Sequence, residues 1–303
     1  MENKKKQHKI GMICALTCAA IWGILPVYWK SLESLNSFVI MFYRLVLAFI
    51  VVFIACLIVY KPKGMIAPLK KKKAVPVFFF AGLIISINWS IYIWAVQAGF
   101  IIQTSIGYYI EPLFVALMGL VIFREKLNKY KIAAIILATI GVLVMIISYG
   151  QPPTIALGLA VSFAIYAGIK KKLHAPALLA LLYETGLMLP IIIPCIIYME
   201  TTGQGVIGNA DPHHLMLLSL AGILTATPLL LFALAANRVS IVTLGITEYI
   251  SPSLGLVLGI FIYKEPFDVI QLAGFIVLWI GLAVFTVGGI KESYSIGGDI
   301  ERL

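Results

Sequence analysis

Four ionisable side chains sit deep inside long apolar runs of this sequence: Arg44, Glu111, Glu184 and Glu248. A charge near a bilayer centre costs roughly 2.5–3.5 kcal/mol on insertion scales, so each needs a partner, a cavity or neutralisation. Glu111 and Glu248 flank Pro112 and Pro252. Proline removes a backbone donor and frees a carbonyl, which loosens a helix where polar groups gather. Two acids in such places suit a cationic or amine-bearing solute, or the uptake and release of a proton. Neutral glutamates hydrogen-bonding across helices are the plainer alternative. Asn88, Trp89, Trp94, Gln103, Tyr108, Tyr109 and Tyr249 stand in the same runs. Their amides and ring faces can hold a cation or stack on an organic solute, or they pack and anchor the helices.

The inventory for bond-breaking chemistry is thin. His8, His174, His213 and His214 fall in tails or loops, and no aspartate lies deep in an apolar run. A Ser–His pair or an aspartyl dyad therefore cannot easily be assembled at depth. Neither His-Glu-x-x-His nor a Gly-x-x-x-x-Gly-Lys-Ser/Thr phosphate loop is present, so zinc hydrolysis and ATP drive are not expected. Cys14, Cys18, Cys56 and Cys195 all fall within apolar segments, which points to neither a disulfide framework nor a metal set. The expectation is a non-enzyme without metal or cofactor.

The elements that must position these residues are membrane helices. Mean hydropathy is +1.03, 61% of residues are hydrophobic and 12% are charged; a soluble domain carries about a quarter of its residues charged. Apolar runs at 10–29, 37–60, 74–97, 101–123, 131–149, 154–169, 176–199, 215–236, 240–263 and 268–290 approach the roughly 20 residues that a bilayer core requires. The fold expected is an all-α membrane protein of ten transmembrane helices. With the N-terminus inside, every Lys and Arg except Lys30, Arg44 and Lys264 falls on the inner side or in a tail. That bias sets both termini in the cytoplasm of a multi-pass plasma (inner) membrane protein. The net charge of +10 thus orients the chain, and nucleic acid is not an expected partner. Lys4–Lys6 and Lys9 precede the first run without a small-residue cleavage site, so that run reads as a retained helix.

A shift of 140 residues lays 37–145 on 177–285 without a gap. Tyr43-Arg44 meets Tyr183-Glu184, Ala81-Gly82 meets Ala221-Gly222, and Tyr109-Ile110-x-Pro112 meets Tyr249-Ile250-x-Pro252. Gly119, Glu125 and Gly141 meet Gly259, Glu265 and Gly281. Five helices per unit invert the second unit, the pattern of secondary transporters with a site near the midplane. The units are 10–149 and 154–290, with a cytoplasmic tail at 291–303. Arg44 and Glu184 are equivalents, each about 10 Å into its helix, on opposite sides of the midplane. They either tie the halves as an ion pair or act separately, Arg44 on a substrate anion and Glu184 on a proton. The repeated Arg124-Glu125 and Lys264-Glu265 pairs suggest helix capping or salt bridges, and Gly107 and Gly245 are candidate hinges.

Several stretches carry a family resemblance. They are Ile21-Trp22-Gly23-Ile24, Asn88-Trp89 followed by Ile93-Trp94-Ala95-Val96, and Ser105-Ile106-Gly107-Tyr108. Gly158-Leu159-Ala160-x-Ser162-Phe163-Ala164 with Tyr166, and Leu182-Tyr183-Glu184-Thr185, extend them. From about residue 10 to 290 the sequence resembles the RarD-type branch of the EamA transporters, in the drug/metabolite transporter (DMT) superfamily. The resemblance implies ten helices in two inverted EamA repeats, an inner-membrane location and a permease role. Relatives of this kind tend to have an amide where this sequence has Glu111 and Glu248.

The function expected is secondary transport of a small organic solute or drug by alternating access, driven by protons or by the solute's own gradient. A channel or membrane sensor is the alternative, and an intramembrane enzyme a more distant one. The partners expected are the solute and the bilayer. Both units lie in one chain, so no obligatory protein partner is required. Helices one to four and six to nine should form a central cavity, with the fifth and tenth peripheral.

Overall fold

A computed structural model describes residues 2–60, 62–70, 73–123, 129–149, 153–173, 176–236, 238, 247 and 249–300. Glu248, Gly245, the Arg124-Glu125 pair and His174 lie outside the described residues. All regular elements among the described residues are helical. They are α1 (Glu2–Lys30), α2 (Ser37–Val59), α3 (Ala74–Gln97), α4 (Ile101–Phe123), α5 (Lys129–Tyr149) and α6 (Thr154–Leu173). Then come α7 in two parts (Ala177–Gly186 and Leu189–Thr201), α8 in two (Pro212–Ser219 and Ala221–Ala236), α9 (Ile250–Val257) and α10 (Val269–Ile300). A π-helical turn, Leu258–Ile262, continues α9. A short helical linker, Pro62–Ile66 and Ala67–Lys70, joins α2 to α3.

Five helices are long and apolar enough to cross a membrane, and the bent α7 makes a sixth. Shorter apolar helices at Ile132–Val144, Thr154–Ile169 and Ile250–Ile262 accompany them. Ten spans is the expectation from sequence; five to six is what length and apolarity of the described helices establish. The bend of 50° in α7 has a local cause. Thr185 Oγ1 turns back to the Leu181 carbonyl, and Pro190 opens the second half. Back-bonding hydroxyls bend helices, and a proline is accommodated in a first turn. Glu184-Thr185-Gly186 and Pro190 are the marks of this break within the apolar run 176–199.

The halves meet through pairings that recur with the halves exchanged. Helix α1 packs on α8 and α9, as α6 packs on α3 and α4; α2 lies on α8 as α7 lies on α3; and α2–α7, α4–α9 and α5–α10 pair with each other. Equivalent glycines make the closest approaches. A Cβ on Gly82 would strike the Glu184 carbonyl oxygen, and one on Gly222 would lie 2.6 Å from the Leu47 carbonyl carbon. Gly141 and Gly281 likewise bring α5 and α10 together. Small residues let helix backbones approach where no hydrophobic force drives association. Tyr109 and Tyr249, also equivalents, stack at 6.5 Å and 10° between planes, which places them at the axis relating the halves. Helices α5 and α10 pack chiefly on each other.

Glu265 joins the halves at a helix end. Its carboxylate accepts from the Ile101 and Ile102 N–H groups at 2.6 and 2.8 Å, so it caps α4 from the loop between α9 and α10. Burial raises its carboxyl above the ordinary value, against the two N–H bonds and Lys30, which lower it. A raised folded value means the contribution to stability is fully present below the unfolded glutamate range and is lost as pH rises through the folded value. Glu265→Ala is expected to cost about 1–2 kcal/mol. Glu265→Gln should fall between, with a flatter dependence of melting temperature on pH. Thermal unfolding in detergent over a pH series reads both.

Candidate functional site

The densest polar arrangement among the described residues surrounds Arg44. Its position in α2, with 5% of its surface exposed, follows from flanking Met41 and Leu45, which bury against α1 and α3. The guanidinium lies 4.3 Å over the Trp89 ring and 4.9 Å over the Trp29 ring, a sandwich that favours a cation in low dielectric. Its Nε donates to Thr225 Oγ1 of α8 at 2.9 Å. Its buried Nη1 has no hydrogen-bond partner among the described residues, and neither has the buried indole Nε1 of Trp29. Tyr28, Tyr92 and Tyr108 lie within electrostatic reach. Tyr92 and Tyr108 rings contact each other at 5.7 Å, and Tyr108 also senses Glu111, which is half-buried on α4. Residues from α1, α2, α3, α4 and α8, hence from both halves, converge here.

Glu184, the equivalent of Arg44, is built differently. It is 1% exposed and accepts from the Tyr166 hydroxyl of α6 at 2.9 Å. Among the described residues no salt bridge joins it to Arg44. The ion pair between halves, one of the sequence alternatives, is therefore not formed. Arg44 reaches α8 and Glu184 reaches α6.

The remaining sequence candidates divide. Asn88, 2% exposed, spends its amide donors on the Leu159 carbonyl and Ser162 Oγ at 2.9 Å, tying α3 to α6. Gln103 is half-buried with an unpartnered Oε1. Tyr109 and Tyr249 form a second cluster with Phe275 and Trp279, and the Tyr109 hydroxyl meets Ser253 at 2.6 Å. Trp94 is 47% exposed beside Phe100 and does not join either cluster. Residues that sequence reasoning passed over are Thr225, Tyr28, Tyr92 and Trp29. A hydroxyl within an apolar run was the available signal for Thr225, and it does not distinguish Thr225 from Thr227.

At one face, loops of the two halves are joined by polar contacts. Ser34 meets His214 at 3.0 Å, Tyr43 donates to Glu200 at 2.7 Å, and Tyr28 donates to the Leu217 carbonyl at 2.8 Å. Burial alone would raise the Glu200 carboxyl, but the bonds from Val206, Tyr43 and Ile207 outweigh it and hold it low. Asp211 is also held low, by the His214 backbone and ring. Asp211, His213 and His214 could bring ligand atoms within 4.8 Å of one another, yet Asp211 is committed to capping α8 and pairing His214.

A paired-helix architecture of this kind has known counterparts. The EamA-like transporter family matches residues 9–147 and again 153–287. The chain belongs to the EamA-like transporter family. "Uncharacterized transporter YojE" of Bacillus subtilis is 36% identical over 94% of this chain and 96% of its own length. "Protein RarD" of Escherichia coli is 31% identical over 94% and 96%, and that of Streptomyces exfoliatus is 31% identical over 95% and 92%. A solved crystal structure superposes with a TM-score of 0.61 at 16% identity, covering 91% of this chain and 97% of that one; it bears on fold alone. This EamA protein is thus a multi-pass membrane protein of a transporter family. Within the EamA frame, the Arg44 cluster is the place where both halves contribute to one polar environment.

Proposed function

We propose that the chain is a secondary transporter that moves a small organic solute across the plasma (inner) membrane by alternating access, with both termini cytoplasmic. The observation that carries this reading is Arg44: a buried cation without a salt bridge among the described residues, held by aromatic groups where the halves meet. Membrane proteins retain such a charge at a substrate or ion pathway. The exchanged helix pairings supply two halves that can rock about it. The polar contacts joining Ser34, Tyr43 and Tyr28 to the second half are the closed side of the cycle. Binding at Arg44 and release on the opposite side would be gated by breaking them. No chemical step is assigned, and one chain encloses the pathway.

Glu184 with Tyr166 is the proton-carrying group in this reading. Proteoliposome counterflow with amines, amino acids, nucleosides, carboxylates and chloramphenicol-like drugs tests the function. Saturable uptake accelerated by solute on the far side is expected; unsaturable flux would instead make the protein a channel. Glu184→Gln should abolish accumulation driven by a pH gradient while preserving exchange.

A further inference from the structure

Resting on the transporter reading, the structure assigns a substrate class: we infer that the solute carries a carboxylate and that Arg44 with Trp29 receives it. The argument is one of donors and acceptors. Guanidinium and indole offer only N–H donors. Here the Nη1 of Arg44 and the Nε1 of Trp29, both buried and in ring contact, lack an acceptor among the described residues. Thr225 supplies the single acceptor in use. What this place lacks is therefore negative charge and oxygen lone pairs, not another cation. A carboxylate supplies both, and its two oxygens match two donors better than a neutral carbonyl does.

Charge agrees with hydrogen bonding. No described carboxylate forms a salt bridge with Arg44, so an incoming anion would neutralise a cation that no described residue compensates. The surrounding Tyr92 and Tyr108 rings and the Trp89 face suit an aromatic or aliphatic body behind the carboxylate. This follows the sequence alternative in which Arg44 receives a substrate anion, rather than the one of a cationic solute at Glu111 and Glu248.

The test is binding to the purified full-length protein in nanodiscs, read by tryptophan fluorescence, since Trp29 and Trp89 border the guanidinium, and by thermal shift. The probes are acetate, benzoate, phenylacetate and indole-3-acetate, each against its amide, with benzylamine and inorganic sulfate as controls. At least one carboxylate should bind, with its amide and benzylamine at least tenfold weaker. Arg44→Gln should weaken that carboxylate roughly ten- to a hundredfold, and Arg44→Lys less. Trp29→Phe, which removes one donor and keeps a ring, should weaken it several-fold. It preserves the test if Arg44→Gln does not fold. Equal binding of acid and amide, binding untouched by both variants, an equal response to sulfate, or no response to any carboxylate would overturn the inference. Counterflow separates the two readings. Transport of an amine without carboxylate binding leaves a transporter and removes the anion. Carboxylate binding without counterflow of that carboxylate or any other solute keeps the anion and removes the transporter.

Discussion

Arg44→Met is expected to abolish transport while changing the melting temperature little. Removing a charge from low dielectric eliminates its desolvation penalty, and no described carboxylate offsets that penalty. Replacing buried charges with apolar residues of similar volume is often stabilising, by about 1–4 kcal/mol. Against this stand the loss of two ring contacts and of one bond to Thr225, worth about 1 kcal/mol each, so the two sides nearly cancel. Arg44→Met also matches the unbranched stem that the arginine threads between Trp29 and Trp89. A melting temperature that holds or rises with no flux would mark the charge as kept for function rather than for stability. A large fall in melting temperature would mean that the aromatic sandwich holds the fold and that Arg44 is structural.

Gly82→Ala and Gly222→Ala are expected to be similarly and strongly destabilising. The obstacle to each Cβ is a neighbouring helix backbone, Glu184 for Gly82 and Leu47 for Gly222. A flexible side chain could swing away, whereas a helix must move as a unit, and overpacking of this sort costs about 1–3 kcal/mol or more. Gly158→Ala is the control, because its Cβ would meet only Ile91 Cδ1 at an ordinary 3.6 Å while helix propensity improves by up to about 1 kcal/mol. The comparison separates a close approach from a mere glycine in a helix. Melting temperatures that fall at 82 and 222 by like amounts, and hold or rise at 158, are the expected pattern. A drop at one of the pair alone would speak against equivalent roles for the two glycines.

Much of this was legible in the sequence. Apolar runs mark the cores of the helices, because helix length and lipid contact act on composition directly. But α1 starts eight residues before its run, α10 continues ten beyond its run, and α7 and α8 are each broken. The offset of 140 predicted which glycines would be equivalent, and both meet a backbone. Contacts of the buried charges were less legible. Symmetry made Arg44 and Glu184 partners on paper, but each is bonded to another helix, Arg44 to Thr225 and Glu184 to Tyr166. The aromatic set was read as one cavity, although Tyr108 and Tyr109 are consecutive and must point about 100° apart on a helix. One accordingly faces Arg44 and the other the axis with Tyr249. Trp94, five positions after Trp89, cannot share its face, and lies exposed while Trp89 covers the guanidinium.

The most direct test of alternating access around Arg44 needs no substrate. The introduced thiol of Thr225→Cys, beside the guanidinium, is probed with an impermeant maleimide added to either side of vesicles. The protein also carries Ser34→Cys and His214→Cys, either free or bridged by a bifunctional thiosulfonate. With that face free, labelling from both sides is expected. With it bridged, labelling from the Ser34 side should vanish while labelling from the other side persists. Access from the Ser34 side that survives the bridge, or no access from either side in any state, would contradict a pathway that opens alternately onto Arg44.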